Sequence, residues 1–189
     1  MDESRFRRDF LGQWINSPDP GHAVRLARSD AANASTRLLG APIWKALDAE
    51  VEAEFNSMIG PLSEDPAALG PVLLLLTKVL VDGIDPQPLK NWLGSFEANE
   101  KSLRLLQRFV EQLGGSSDAT SILRALYGFR SSGGVAHLTS PRSRERAASA
   151  LEISDMSNTE AFTSVATRVT ECLNIITSLI SGRLAESTE

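Results

Sequence analysis

The sequence is poor in the residues on which disulfides, zinc sites and many catalytic centres depend. It contains one cysteine and two histidines in 189 residues. A single cysteine excludes an intramolecular disulfide and a cysteine-rich zinc site. Cys172 lies among Val169, Leu173 and Ile176, and apolar burial raises the pKa of a thiol. We therefore predict a buried structural thiol, in keeping with a cytoplasmic protein.

Long apolar segments and an excess of positive charge are also missing. The N-terminal stretch MDESRFRRDF carries charge where a signal peptide needs an apolar core. The strongest apolar run, GPVLLLLTKVLV, contains Lys78 and is too short to span a bilayer. A net charge of -5 and a pI near 5.2 argue against an overall electrostatic grip on nucleic acid, but not against a local basic patch. We expect a soluble protein with no membrane contact and no DNA binding.

Recognised cofactor and metal motifs are absent from the sequence. There is no Gly-rich phosphate loop, Walker lysine or nucleophile elbow. The two histidines, His22 and His137, lie far apart, and the carboxylates between Asp48 and Glu54 are typical of one solvated helix face. We predict no metal site and no cofactor, and we place His22 on the surface. The three tryptophans occupy apolar positions of predicted helices and are expected in the core: Trp14, Trp44 and Trp92.

What the sequence does have is helical periodicity, with only weak strand signals. Apolar residues at helical spacing predict helices from about Ala23 to Leu39 and from Ile43 to Ile59. A third segment, Leu73 to Ile84, is apolar nearly all round, which indicates a central helix covered on most sides. The predicted fold class is therefore all-α, a helical bundle.

The last predicted helix has the clearest period. Ser157 and Glu160 resemble a capping box at its start. Its apolar positions step alternately by three and four residues: Phe162, Val165, Val169, Cys172, Ile176 and Leu179. Such a stripe forms either core or the seam of a dimer, and we favour core.

A turn-rich segment, PLSEDPAALGP, predicts a boundary in the chain. Residues 1–65 would form an N-terminal helical extension, and residues 66–189 the main helical bundle. The extension includes a stripe of Phe6, Phe10 and Trp14 at four-residue spacing. It is either part of the same domain or the tail of a preceding one.

The stretch GFRSSGGVAH combines Arg130 and His137 at the end of a predicted helix. Arg130 falls on the shoulder of the buried face, so its charge needs a partner or a route to solvent along Tyr127. A continued helix would place His137 on the same face nearly two turns later, although Gly133 and Gly134 interrupt it.

An arginine and a histidine together suit phosphate chemistry. The imidazole titrates near neutrality and moves protons, while the guanidinium stabilises extra negative charge on a phosphate. The pair could support metal-independent RNA cleavage, more convincingly with two copies in a symmetric dimer. Three further arginines follow, Arg142, Arg144 and Arg146. They form either a basic patch for RNA phosphates or a solvated first helical turn.

The run ILRALYGFRSSGGVAHLTSP, followed by an Arg-rich helix and a long final helix, resembles the HEPN family of helical-bundle domains. The mark of that family is an arginine, four to six intervening residues and a histidine, and the resemblance covers about Pro66 to Leu184. It implies a homodimeric, metal-independent endoribonuclease of a phage-defence or toxin–antitoxin system, with Arg130 and His137 catalytic.

The same resemblance leaves a second function open. Tyr127 and Ser131 are the supporting residues of the expected site, and Ser131 stands where many active members carry a larger polar residue. HEPN domains also include members that have lost catalysis and act as dimerisation or protein-binding modules. The alternative is therefore a non-catalytic HEPN-like module that docks onto another domain or protein of the same system.

Overall fold

The computed structural model describes residues 19–65, 67–131, 145 and 148–187. The predicted helix of Phe6, Phe10 and Trp14 lies outside these residues. Within them the regular elements are α1 Pro20–Leu39, α2 Ala49–Asn56, α3 Leu69–Thr77, a π-helical turn Lys78–Asp82, α4 Pro86–Leu93, α5 Ser102–Gln112, a 3-10 turn Ser117–Thr120, α6 Ser121–Ser131 and α7 Asn158–Glu186. The described residues form no strand, which confirms the all-α prediction.

The two longest helices, α1 and α7, pack against each other more extensively than any other pair. The face that α1 buries consists of small residues: Gly21, Val24, Ala27, Ala31, Ala34 and Ser35. Small side chains let the larger stripe of α7 approach closely. Phe162, Val169 and Cys172 are each at most 3% exposed, and Leu179 is half-buried. The stripe is therefore core, as predicted.

The start of α7 is fixed by two sets of polar contacts. Ser157 and Glu160 form the predicted capping box, which satisfies backbone N–H groups of the first turn. The Glu64 carboxylate accepts hydrogen bonds from the backbone N–H of Asn158 at 2.6 Å and from the Thr159 hydroxyl at 3.2 Å. The turn-rich segment expected at a boundary is thus bonded to α7, and residues from both sides of position 65 share one buried cluster.

The predicted helix from Ile43 to Ile59 is wrong over its first six residues, because α2 begins only at Ala49. The preceding chain is extended and pairs with the chain after the π-helical turn. The Lys45 N–H donates to the Gly83 carbonyl at 2.9 Å, and the Asp85 N–H to the Ile43 carbonyl at 2.7 Å. The buried Trp44 indole donates to the Leu80 carbonyl at 3.0 Å. Tertiary hydrogen bonding overrides the helical spacing here.

The central segment is buried as predicted, but α3 widens into a π-helical turn at Lys78–Asp82. The Gly83 N–H donates to the Lys78 carbonyl at 3.0 Å and closes this turn. A Cβ atom on Gly83 would lie 2.4 Å from the Val79 carbonyl oxygen, so no larger residue fits. Lys78 and Asp82 are left on an exposed face of an otherwise buried segment. Turns of this kind occur frequently at functional sites.

Among the described helices, none combines the length and apolar character needed to cross a bilayer.

Candidate functional site

Arg130 lies in the last turn of α6, where a cation is favoured by the helix dipole. Its Nη1 donates to Oδ2 of Asp82, at the end of the π-helical turn. The Arg130 side chain remains 50% exposed and that of Asp82 37% exposed. Arg130 therefore has both the partner and the route to solvent that its position on the helix requires.

Arg130 borders an open cleft of about 400 Å³, here called the Arg130 cleft. The cleft is lined by Glu54, Pro71, Leu74, Leu75, Lys78, Asp82 and Arg130. Its charged residues are of both signs, two cations and two carboxylates. The guanidinium thus faces a concave, solvent-filled surface in which a phosphate group can reach it.

A second cleft, of about 550 Å³, lies on the other side of Asp82 and is here called the cationic cleft. Helix α5 contributes Lys101 and Arg104 near its start, and α6 contributes Arg124 and Tyr127. The remaining lining residues are Val81, Asp82, Ser102, Leu103 and Gln107. Asp82 lines both clefts and is the single carboxylate among the described residues that line the cationic one.

The cations of this cleft are weakly engaged within the described residues. Arg124 lies 3.9 Å from Asp118 and donates to the Ser117 carbonyl at 3.3 Å, but its side chain is exposed, and such exposed contacts contribute little. Lys101 and Arg104 have no ion-pair partner in the described part of the chain. By contrast, the nearby Arg108 forms a 2.7 Å pair with the well-buried Glu100. The cationic cleft therefore keeps positive charge that is available to an anion.

The structure places some of the predicted site residues and not others. Tyr127 is 49% exposed and lines the cationic cleft, not the Arg130 cleft. Ser131 ends α6, and its side chain lies outside the described part. Four predicted residues also lie outside it: His137, Arg142, Arg144 and Arg146. The pairing of Arg130 with His137 stays a prediction.

Sequence reasoning missed Asp82 and the three cations of the second cleft. Asp82 had a local signal, since it is a carboxylate that closes an otherwise apolar run. Its distance of 48 residues from Arg130 gave no sign of their contact. Lys101 and Arg124 looked like ordinary surface charges, because their convergence depends on how α5 and α6 pack.

The buried thiol confirms the prediction made for Cys172. The residue is 3% exposed, and burial raises the pKa of its thiol to about 12. A buried thiol that stays protonated at neutral pH is a poor nucleophile. Phosphate chemistry in this chain must therefore use other groups.

A search among protein-family models, curated proteins and solved structures finds no match to this chain. The resemblance to HEPN domains accordingly rests on the residues quoted for it.

Proposed function

We propose that this chain is a HEPN-like helical domain that cleaves RNA without a metal ion, as a cytoplasmic homodimer. In this proposal Arg130 stabilises the phosphate, and His137 transfers protons. The observation that supports it best is the half-exposed Arg130 at the end of α6, held by Asp82 at the rim of an open cleft.

The reaction that fits these groups is transfer of the phosphate to the neighbouring ribose hydroxyl. The 2′-oxygen forms a bond to phosphorus, the bond to the 5′-oxygen breaks, and a 2′,3′-cyclic phosphate remains. His137 takes the 2′-hydroxyl proton or protonates the leaving oxygen. Arg130 stabilises the charge that builds on the phosphoryl oxygens.

Asp82 has a defined part in this arrangement. A guanidinium carries five N–H donors in a planar fork. The Asp82 carboxylate accepts from Nη1 and fixes the orientation of the plane, while the other donors stay available to a phosphate. Asp82 is therefore a positioning residue for Arg130. The adjacent cationic cleft supplies the local positive charge that RNA binding by an acidic chain requires.

The test is cleavage of single-stranded RNA in the presence of EDTA. We expect wild type to release products with 2′,3′-cyclic ends, and Arg130→Ala and His137→Ala to lose about 100-fold or more in rate. Arg37→Ala is the matched control, since Arg37 is an exposed arginine in the last turn of α1. Equal cleavage by wild type and His137→Ala, or loss of activity in EDTA, would contradict the proposal.

One observation favours the second candidate, a non-catalytic HEPN-like module that binds a protein or a second copy. The Asp82 carboxylate neutralises much of the charge that Arg130 would offer to a phosphate. This candidate predicts no RNA turnover by wild type at any concentration. It also predicts that Arg130→Ala leaves partner binding and oligomeric state unchanged, which sedimentation of the two proteins would show.

A further inference from the structure

We infer that the cationic cleft is a nucleotide subsite, which takes one base and its adjoining phosphate from single-stranded RNA. This inference deepens the proposed function, since it names the part of the RNA that the chain holds beside Arg130. It concerns binding alone, and it stands or falls independently of catalysis. The cleft has three properties that matter here: its size, its aromatic and apolar wall, and the origin of its charges.

The size and composition of the cleft fit a nucleotide. Its volume of about 550 Å³ lies within the range of small-ligand sites. The lining of the cleft includes the ring of Tyr127 and the apolar side chains of Leu103 and Val81. Tyr127 is the only tyrosine of the chain, and its side chain is 49% exposed. A half-exposed phenol ring beside apolar side chains offers a face on which a base can stack.

The charges of the cleft come from the start of α5 and from α6. Lys101 and Arg104 lie at the start of that helix, where cations oppose the helix dipole. No acidic residue occupies the first turn of α5, whereas α7 has Glu160 there. Arg124 adds a third cation from α6. Two cations at the positive end of a helix are unfavourable for folding and suited to a phosphate, and the third adds to the positive charge of the same cleft.

Asp82 connects this subsite to Arg130. Because Asp82 lines both clefts, an RNA strand that passes from the cationic cleft over Asp82 enters the Arg130 cleft. The nucleotide held at Tyr127 is then a neighbour of the phosphate that Arg130 contacts. The Asp82 carboxylate repels a phosphate in either cleft. The Asp82→Asn variant should therefore bind RNA more tightly, although it no longer holds the Arg130 guanidinium by an ion pair.

The test is binding of a labelled RNA of about ten nucleotides, followed by fluorescence anisotropy. Each ribose carries a 2′-O-methyl group, so that the probe cannot be cleaved through its 2′-oxygen. We expect Arg104→Glu to weaken binding about tenfold or more, and Tyr127→Ala to weaken it about 5- to 150-fold. Tyr127→Phe keeps the ring and should bind within about twofold of wild type.

Arg37→Glu makes the same change in charge on α1, at a residue that does not line the cleft. Its affinity for the RNA probe should equal that of wild type once the effect of the altered net charge is subtracted. The salt dependence gives an independent measure: Arg104→Glu should lower the slope of log affinity against log salt by about 0.7 for each phosphate that is no longer neutralised. Thermal melts of every variant check that the fold is kept. Loss of affinity as large in Arg37→Glu as in Arg104→Glu would overturn the inference.

Two further probes show which part of the ligand the cleft binds. An abasic oligomer of equal length keeps the phosphates and lacks the bases, and it should bind about tenfold or more weakly than the base-bearing RNA. Equal binding of the two would overturn the nucleotide assignment. If adenosine monophosphate displaces the RNA at equal molar concentration, the ligand is a free nucleotide and the assignment to RNA is wrong.

The outcome separates this inference from the proposed function. Arg130→Ala and His137→Ala should abolish cleavage of ordinary RNA while the uncleavable probe still binds. Binding that depends on Arg104 and Tyr127 without any cleavage by wild type supports the subsite and contradicts the nuclease. Cleavage that survives Arg104→Glu and Tyr127→Ala unchanged supports the nuclease and overturns the subsite.

Discussion

The two sides of this bundle use their side chains in opposite ways. On one side, α1 and α7 meet through small residues and a long apolar stripe, and Ile176, Val165 and Ala31 are fully buried. On the other side, the π-helical turn borders two open clefts that are lined by charged residues, one with α5 and α6 and one with α2, α3 and Arg130. The first side holds the chain together, and the second is the side to which we assign the proposed RNA contact.

The difference is also visible in how polar groups are satisfied. Buried Ser35, on α1, donates to the Ala32 carbonyl at 3.0 Å and accepts from the Ile43 N–H at 3.1 Å. Around the cationic cleft, Lys101 and Arg104 have no ion-pair partner within the described ranges. Cations that have no ion-pair partner beside a cleft are available to an anionic ligand, as the RNA-binding proposal requires.

The largest effect on stability is expected for adjacent isoleucines of α7. Ile176 is fully buried, whereas Ile175 is 44% exposed. Ile176→Ala should lower the free energy of unfolding by about 2–5 kcal/mol, because a cavity opens between α1 and α7. Ile175→Ala should change it by less than about 0.5 kcal/mol. Urea unfolding of the two variants checks this, and an equal loss in both would contradict the assignment of the stripe to core.

A somewhat smaller effect is expected at the junction between the two sides. Trp44→Phe removes the indole N–H that donates to the Leu80 carbonyl and leaves this buried acceptor unpaired. We expect a loss of about 1–3 kcal/mol in the free energy of unfolding. Trp92→Phe is a useful comparison, since that half-buried ring packs edge-on against Phe109 and its replacement should cost less. If Trp44→Phe is neutral, the indole hydrogen bond does not hold the π-helical turn.

How far the sequence predicts this structure differs between the same two sides. The α7 stripe and its capping box could be predicted, because periodicity and capping are local signals carried by Ser157, Glu160 and the apolar positions that follow. The conformation of the stretch before Ala49 could not be predicted. Ile43 and Leu47 keep helical spacing, but the backbone there forms hydrogen bonds with Gly83 and Asp85. Such pairing is decided by residues distant in sequence.

The candidate site was predictable only in part, for the same physical reason. Arg130 stood out because a charge on the shoulder of an apolar helix face needs an explanation. Its partner Asp82 and the neighbouring Arg104 belong to other helices, and only their packing brings them together. His137 remains a prediction from the spacing and the family resemblance.

The buried thiol provides a pH test of the packed side. Burial raises the pKa of Cys172 to about 12 in the folded chain, while the unfolded thiol ionises near about 8.5. The unfolded state alone loses this proton as the pH rises through that window, so stability falls by up to about 1.4 kcal/mol per pH unit. Unfolding at several pH values above about 8.5 should show a shallower decline in Cys172→Ala than in wild type. Parallel curves would show that the thiol is not buried between α1 and α7.

The smallest effect on stability is expected at the cationic cleft, and this prediction tests the comparison of the two sides most directly. Arg104→Ala removes a cation that opposes the dipole of α5, and Arg124→Ala removes an exposed pair with Asp118 and an exposed hydrogen bond to the Ser117 carbonyl. Both changes should leave the free energy of unfolding within about 0.5 kcal/mol of wild type. Both variants should nevertheless bind RNA more weakly, so these two residues affect binding without affecting stability. A loss of about 2 kcal/mol or more in either variant would make its cation part of the fold, because exposed ion pairs contribute less than that. The cleft would then be held together by the charges here assigned to a ligand.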